Sequence, residues 1–118
     1  MKTIKHALLI DDDAIINMIN TRVVKIGKLA EKVTAITDAK EALDLLKTLW
    51  LSDPAEFPEI IFLDINMPDM DGWDFLDEFK NFPSEALAKC KVVMLTSSID
   101  LFDIKKARFY NIILHHFI

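Results

Sequence analysis

What this chain has little of narrows its nature before any motif is read. A single cysteine, Cys90, excludes an internal disulfide and points to a reducing compartment, so a cytoplasmic protein is expected. No apolar stretch reaches the ~20 residues of a membrane-spanning helix. The start, Met1-Lys2-Thr3-Ile4-Lys5-His6, is basic, but Asp11-Asp12-Asp13 interrupts the following apolar run far too early for a secretory signal. Basic residues are outnumbered 14 to 19 by acidic ones, and the net charge of −5 argues against nonspecific binding to nucleic-acid phosphates. There is no linker rich in Gly, Pro or Ser, no repeat and no low-complexity tract. One domain over residues 1–118 is expected, large enough to bury roughly two-thirds of its unfolded surface.

What is present is a set of short apolar runs with polar endings. Ala7-Leu8-Leu9-Ile10 stops at Asp11-Asp12-Asp13, and Ile60-Ile61-Phe62-Leu63 stops at Asp64. Val92-Val93-Met94-Leu95 stops at Thr96-Ser97-Ser98. Such runs read as strands buried on both faces of a parallel sheet. In an open α/β sheet, ligands bind in the crevice beyond the carboxyl ends of the strands. If the three runs are neighbours, three carboxylates and a hydroxyl converge there, as a cation site with something to phosphorylate.

The rest of the chain alternates strand and helix. A first strand over about Lys5–Ile10 precedes a helix whose Ile15, Ile16, Ile19, Val23 and Ile26 make one apolar face, with Gly27 as its stop. Asp13 reads as a helix cap. Val33–Thr37 reads as a short β-branched strand, and Asp38 caps a helix carrying Ala42, Leu45, Leu46 and Leu49. Prolines mark 52–58 as a loop, and Met67–Gly72 is a second loop before a helix with Phe75, Leu76 and Phe79. Phe82-Pro83-Ser84 breaks that helix, Lys91–Leu95 is a fourth strand, 100–110 a helix, and 112–118 a last strand. Trp50 and Trp73 read as packing residues. Lys25, Lys28, Glu31 and Lys32 read as a solvated face. His115 and His116, adjacent on a strand, point opposite ways and make a poor metal pair.

Taken together, Leu8–Asp13, Ile61–Pro68, Asp69–Gly72 and Val93–Ser98 resemble the receiver domain of two-component response regulators, in family order over the whole chain. The resemblance implies an α/β fold, flavodoxin-like, with a doubly wound parallel sheet of five strands in the order 2-1-3-4-5. It makes Asp64 the phosphoacceptor, and Asp11 and Asp12 the acidic pair holding Mg²⁺ with the backbone carbonyl of Asn66. Thr96 would hydrogen-bond a phosphoryl oxygen, and Ser97 would offer its amide to the phosphate. Phe117 stands where the family often has an aromatic that rotates inward on activation, core packing being the equal alternative. The implied partners are a histidine kinase or phosphotransfer protein as donor and a downstream target or effector domain. The implied activity is a switch with weak self-directed catalysis and no external substrate. One element is missing, since nothing after Thr96 fits the family's Lys-Pro pair, and the final helix is absent too. The intact signature positions favour a chain cut short after Ile118. The alternative is a degenerate receiver serving as a phosphorylation-independent interaction module.

The chemistry needs these residue types. Carboxylates about 5 Å apart at an effective dielectric near 20 repel by roughly 3 kcal/mol per pair, so one takes a proton or a cation binds. Hard oxygen donors suit Mg²⁺. A phosphatase of the haloacid-dehalogenase type, which also forms an aspartyl phosphate, needs an aspartate two residues after its nucleophile, where this chain has Asn66. An EF-hand read from Asp69 fails as well, because Gly72 falls at position four and Lys80 at twelve.

Overall fold

A computed structural model describes residues 3–96, 105 and 113–116. Thr96 and residues 113–116 are described by their backbone alone. The elements run β1 (Ile4–Ile10), α1 (Ala14–Ile26), β2 (Ala30–Ile36), α2 (Ala39–Ser52), β3 (Ile60–Asp64), α3 (Gly72–Phe79), α4 (Ser84–Lys89), β4 (Lys91–Thr96) and β5 (Ile113–His116). All neighbouring strands pair in parallel, in the order β2-β1-β3-β4-β5, as the resemblance implied.

Register places the site. Ile10 pairs with both Ile36 and Leu63, and Asp64 pairs with Leu95, so the carboxyl ends of β1, β3 and β4 finish level with one another. Aspartates start the three longer helices. Asp13 accepts from the Ile15 and Ile16 amides, Asp38 from Glu41, and Asp71 forms a reciprocal capping box with Asp74.

Leu8, Ile10, Ile61, Leu63, Val92 and Met94 face the main core, where α2, α3 and α4 add Ala42, Leu46, Phe75, Leu76, Phe79 and Ala86. On the other face Ala7, Val24 and Ala30 form a much smaller cluster, with Ile4, Val33 and Ile60 packed against it.

Several expectations shift. The stripe Ile15, Ile16, Ile19, Val23 and Ile26 exists but lies in water, Ile26 being 82% exposed; α1 buries Asn17 and Val24 instead. Gly27 does end α1, but its own φ is −74°, and the left-handed residue is Lys28 at φ 53°. Strand β2 starts three residues before Val33, at Ala30. Its exposed Glu31 and Lys32 disguise the start of what is an edge strand. The 52–58 loop contains a single 3-10 turn, Pro54–Glu56. The short helix α4, which pattern reading passes over, begins directly after Pro83. Of the helix expected over 100–110 only Lys105 is described, and it is helical. The last strand is seen at Ile113–His116.

Candidate functional site

The turn from β1 into α1 carries Asp11, Asp12 and Asp13, and the end of β3 carries Asp64. One carboxylate oxygen from each of Asp11, Asp12 and Asp64 lies within 4.8 Å of the other two. Asp13 points to its own helix instead, as a cap. The strand-end reading therefore brings together the three aspartates it named and separates the fourth.

Local bonds hold the carboxylates in place. Asp11 Oδ1 accepts from the Asp13 amide at 2.9 Å, and Asp64 Oδ1 accepts from the Asn66 amide at 3.1 Å. Asp11 and Asp64 are half-buried, whereas Asp12 is exposed. Burial pushes the Asp64 carboxyl up to about 6; the Asp11 charge adds to that rise, the Asn66 amide opposes it, and Asp12 adds to it again. Asp11 is also raised, first by burial, against the Asp13 amide, and then by the neighbouring charges of Asp12 and Asp13. Two carboxyls that resist ionisation beside a third are a cluster that gains when a cation arrives. Three hard oxygen donors converging on one point suit Mg²⁺ in their chemistry.

The loop after Asp64 is held by a close approach. The Gly72 amide donates to the Ile65 carbonyl at 2.9 Å, seating the start of α3 directly on the end of β3. A Cβ at Gly72 would meet the Asp64 carbonyl oxygen at 2.8 Å, the Ile65 Cα at 3.0 Å and the Met94 methyl at 2.5 Å. Glycine here is a packing requirement, since its φ is not positive. Asp69 carries the positive φ of this loop, at 65°, a conformation aspartate tolerates better than most residues.

Thr96 ends β4 one residue beyond Leu95, the partner of Asp64, so its backbone lies at the same rim. Its side chain, Ser97 and Phe117 lie outside the described residues. Asn66 is exposed, directly after the strand end. Sequence reading passed over Asn17, whose side-chain amide donates to the Asp11 carbonyl. A signal was there: Asn17, Asn20, Thr21 and Val24 recur at spacings of three and four, forming a second stripe on α1 beside the obvious apolar one.

The family model described as response regulator receiver domain matches residues 7–113. A two-component response regulator from Cytophaga hutchinsonii is 33% identical with a TM-score of 0.86, the match covering 96% of this chain and 84% of that one. The receiver domain of the histidine kinase CKI1 from Arabidopsis thaliana, complexed with Mg²⁺ and BeF₃⁻, has a TM-score of 0.79. At 19% identity, over 95% of this chain and 80% of that one, it speaks for the fold alone. Among curated proteins, protein-glutamate methylesterase/protein-glutamine glutaminase 1 of Dechloromonas aromatica is 30% identical over 92 residues, 78% of this chain and 23% of its own length. The chain thus spans about a quarter of the curated relatives it matches.

Proposed function

This chain belongs to the response regulator receiver domain family, and on that premise we propose that it is a phosphorylation-controlled switch whose phosphoacceptor is Asp64. The observation that carries the reading is the convergence of Asp11, Asp12 and Asp64 at the carboxyl ends of β1 and β3. A carboxylate oxygen of Asp64 forms the new bond to phosphorus as the donor's bond to phosphorus breaks, leaving an acyl phosphate. The donor is a histidine kinase or phosphotransfer protein, and the readout is a downstream protein or effector domain.

Asp11, Asp12, Asp64 and the Asn66 backbone carbonyl would hold Mg²⁺. When bound, that ion neutralises charge on the transferring phosphoryl group. Asp64 presents its oxygen from a strand end braced by the Asn66 amide and by the seated start of α3. Thr96 donates its hydroxyl to a phosphoryl oxygen, a bond to a charged partner worth about 1.5–3 kcal/mol. The Ser97 amide would face the phosphate, and Phe117 would serve either as the switch aromatic or as core packing. The cytoplasm is the compartment this reading implies, and the buried free thiol of Cys90 is compatible with it.

The same reading takes 1–118 as one receiver domain whose α1 face is completed by an amphipathic helix. Its support is the open apolar stripe on α1, beside half-buried Phe62, Val93 and Leu95. By strand alternation these three lie on the α1 side of the sheet.

Incubation with acetyl phosphate and Mg²⁺, followed by intact mass, tests the central claim. One phosphoryl group is expected, absent from Asp64→Asn. Label that persists in Asp64→Asn, or that maps to Asp11 or Asp12, overturns the assignment.

A further inference from the structure

Helix α1 turns an unexpected residue inward. Asn17 is 4% exposed, and with Val24 it is what α1 buries, while five isoleucines and valines of the same helix stay in water. Both hydrogens of its side-chain amide are used. Nδ2 donates to the Asp11 carbonyl at 2.9 Å and to the Ile36 carbonyl at 3.2 Å. The Asn17 backbone amide donates to the Asp13 carbonyl at 3.0 Å, and the Asp11 amide donates to the same Ile36 carbonyl at 3.2 Å. The peptide groups of Asp11 are thereby held on both sides, one by the end of β2 and one by Asn17.

The other half of the amide argues in the same direction. Asn17 Oδ1 is buried and has no hydrogen-bond donor among the described residues. A buried acceptor without a partner is a cost that an apolar side chain would avoid. Burial alone therefore does not account for asparagine at this place. Its donor half does, and that half is spent on the turn that carries the acidic pair.

We propose that Asn17 is a positioning residue for the acidic cluster, bolting the Asp11–Asp13 turn to the end of β2 so that Asp11 and Asp12 stay facing Asp64. The turn spans three residues between a strand and a helix, so its two carboxylates depend on side-chain bracing for their aim. Partners that orient metal ligands without touching the metal typically change affinity by roughly 10–100-fold when removed. The inference rests on the reading of the cluster as a cation site.

The test measures Mg²⁺ affinity by titration calorimetry, and the exchange of the Asp11 and Asp13 amides without metal, in three proteins: the parent, Asn17→Leu and Val24→Ala. Asn17→Leu keeps similar bulk and removes both donors. Val24→Ala loosens the same buried face of α1 without touching the turn. Saturable binding is expected in the parent, weaker by roughly tenfold in Asn17→Leu and within about twofold of the parent in Val24→Ala. The two amides should exchange faster in Asn17→Leu alone. Parent-like affinity in Asn17→Leu overturns the positioning role and leaves the cation site standing. Equal weakening in Val24→Ala also overturns it, because the effect would then be general helix packing. No saturable binding in the parent overturns the cation-site reading itself, and this inference with it. Should Asn17→Leu fail to fold, Asn17→Ala takes its place with the same expectations.

Discussion

The two faces of the sheet are covered very differently. On one, α2, α3 and α4 bury a continuous cluster in which Leu8, Leu46, Ile61, Leu63, Phe75 and Met94 are wholly removed from water. On the other, among the described residues, α1 lies over Ala7, Ala30, Val33 and Ile60, and of its side chains Asn17 and Val24 are the buried ones. The first face is where stability resides. The second spends its contacts on holding the site and keeps apolar surface in reserve. Both meet at the rim of Asp11, Asp12 and Asp64, so the aspartates rest on a firm wall at β3 and a lightly braced one at the β1–α1 turn.

The largest effect should come from breaking the firm wall. Phe75 is fully buried and stacks on Phe79 with ring centroids 5.7 Å apart. Phe75→Ala should cost about 3–5 kcal/mol in urea unfolding, through lost burial and the cavity left behind. A cost under about 1 kcal/mol would mean the two faces are not as unequal as their burial implies.

Gly72→Ala should come second. The added methyl has backbone at 2.8 and 3.0 Å, which cannot swing aside as a flexible side chain can. Overpacking of this kind costs about 1–3 kcal/mol. Because the crowded atoms belong to Asp64 and Ile65, the rate of modification by acetyl phosphate should fall as well. Lost stability with an unchanged rate would show that α3 and the acceptor are uncoupled.

A smaller effect is expected from pH at the shared rim. The Asp64 carboxyl, ordinarily near 3.8, is pushed up to about 6, chiefly by burial and then by Asp11. Between those values the folded protein keeps a proton that the unfolded chain has lost. The stabilisation is therefore complete below about pH 4 and lost as pH rises through about 6. Denaturation curves of metal-free protein should show stability falling over that window, with a shallower slope in Asp64→Asn and with saturating Mg²⁺. A slope of opposite sign would mean that favourable bonds to Asp64 outweigh its burial.

Much of this contrast could be read from the residues. Apolar runs ending in Asp11 and Asp64 showed where β1 and β3 stop, because buried parallel strands carry no alternation and a charge can appear only at their ends. The caps at Asp13 and Asp38 were equally legible, being side chains that supply a missing acceptor at a helix start. Helix α4 was not, since Pro83 reads as a breaker although it also permits a helix to begin. Nor was the orientation of α1. Periodicity finds the apolar stripe of Ile15, Ile19 and Ile26, but which stripe faces the sheet is decided by tertiary bonds to Asp11 and Ile36 that no local pattern records.

The smallest effect on this chain should come from the open stripe. Ile19 and Ile26 are 49% and 82% exposed, so serine at either position gives up little buried area and should change stability by no more than about 0.5 kcal/mol. What should change is self-association, because Ile15, Met18, Ile19, Val23 and Ile26 lie exposed on one short helix. Sedimentation of Ile19→Ser, Ile26→Ser should show less concentration-dependent association than the parent. In a longer chain whose added helix covers α1, the same substitutions remove buried isoleucines, at about 1.5–3 kcal/mol for each side chain fully buried. The pair of measurements separates the alternatives. Negligible cost in both lengths would leave the stripe uncovered by any helix of its own chain. A large cost already within residues 1–118 would mean that α1 packs its stripe inward, and the contrast between the two faces would then fail.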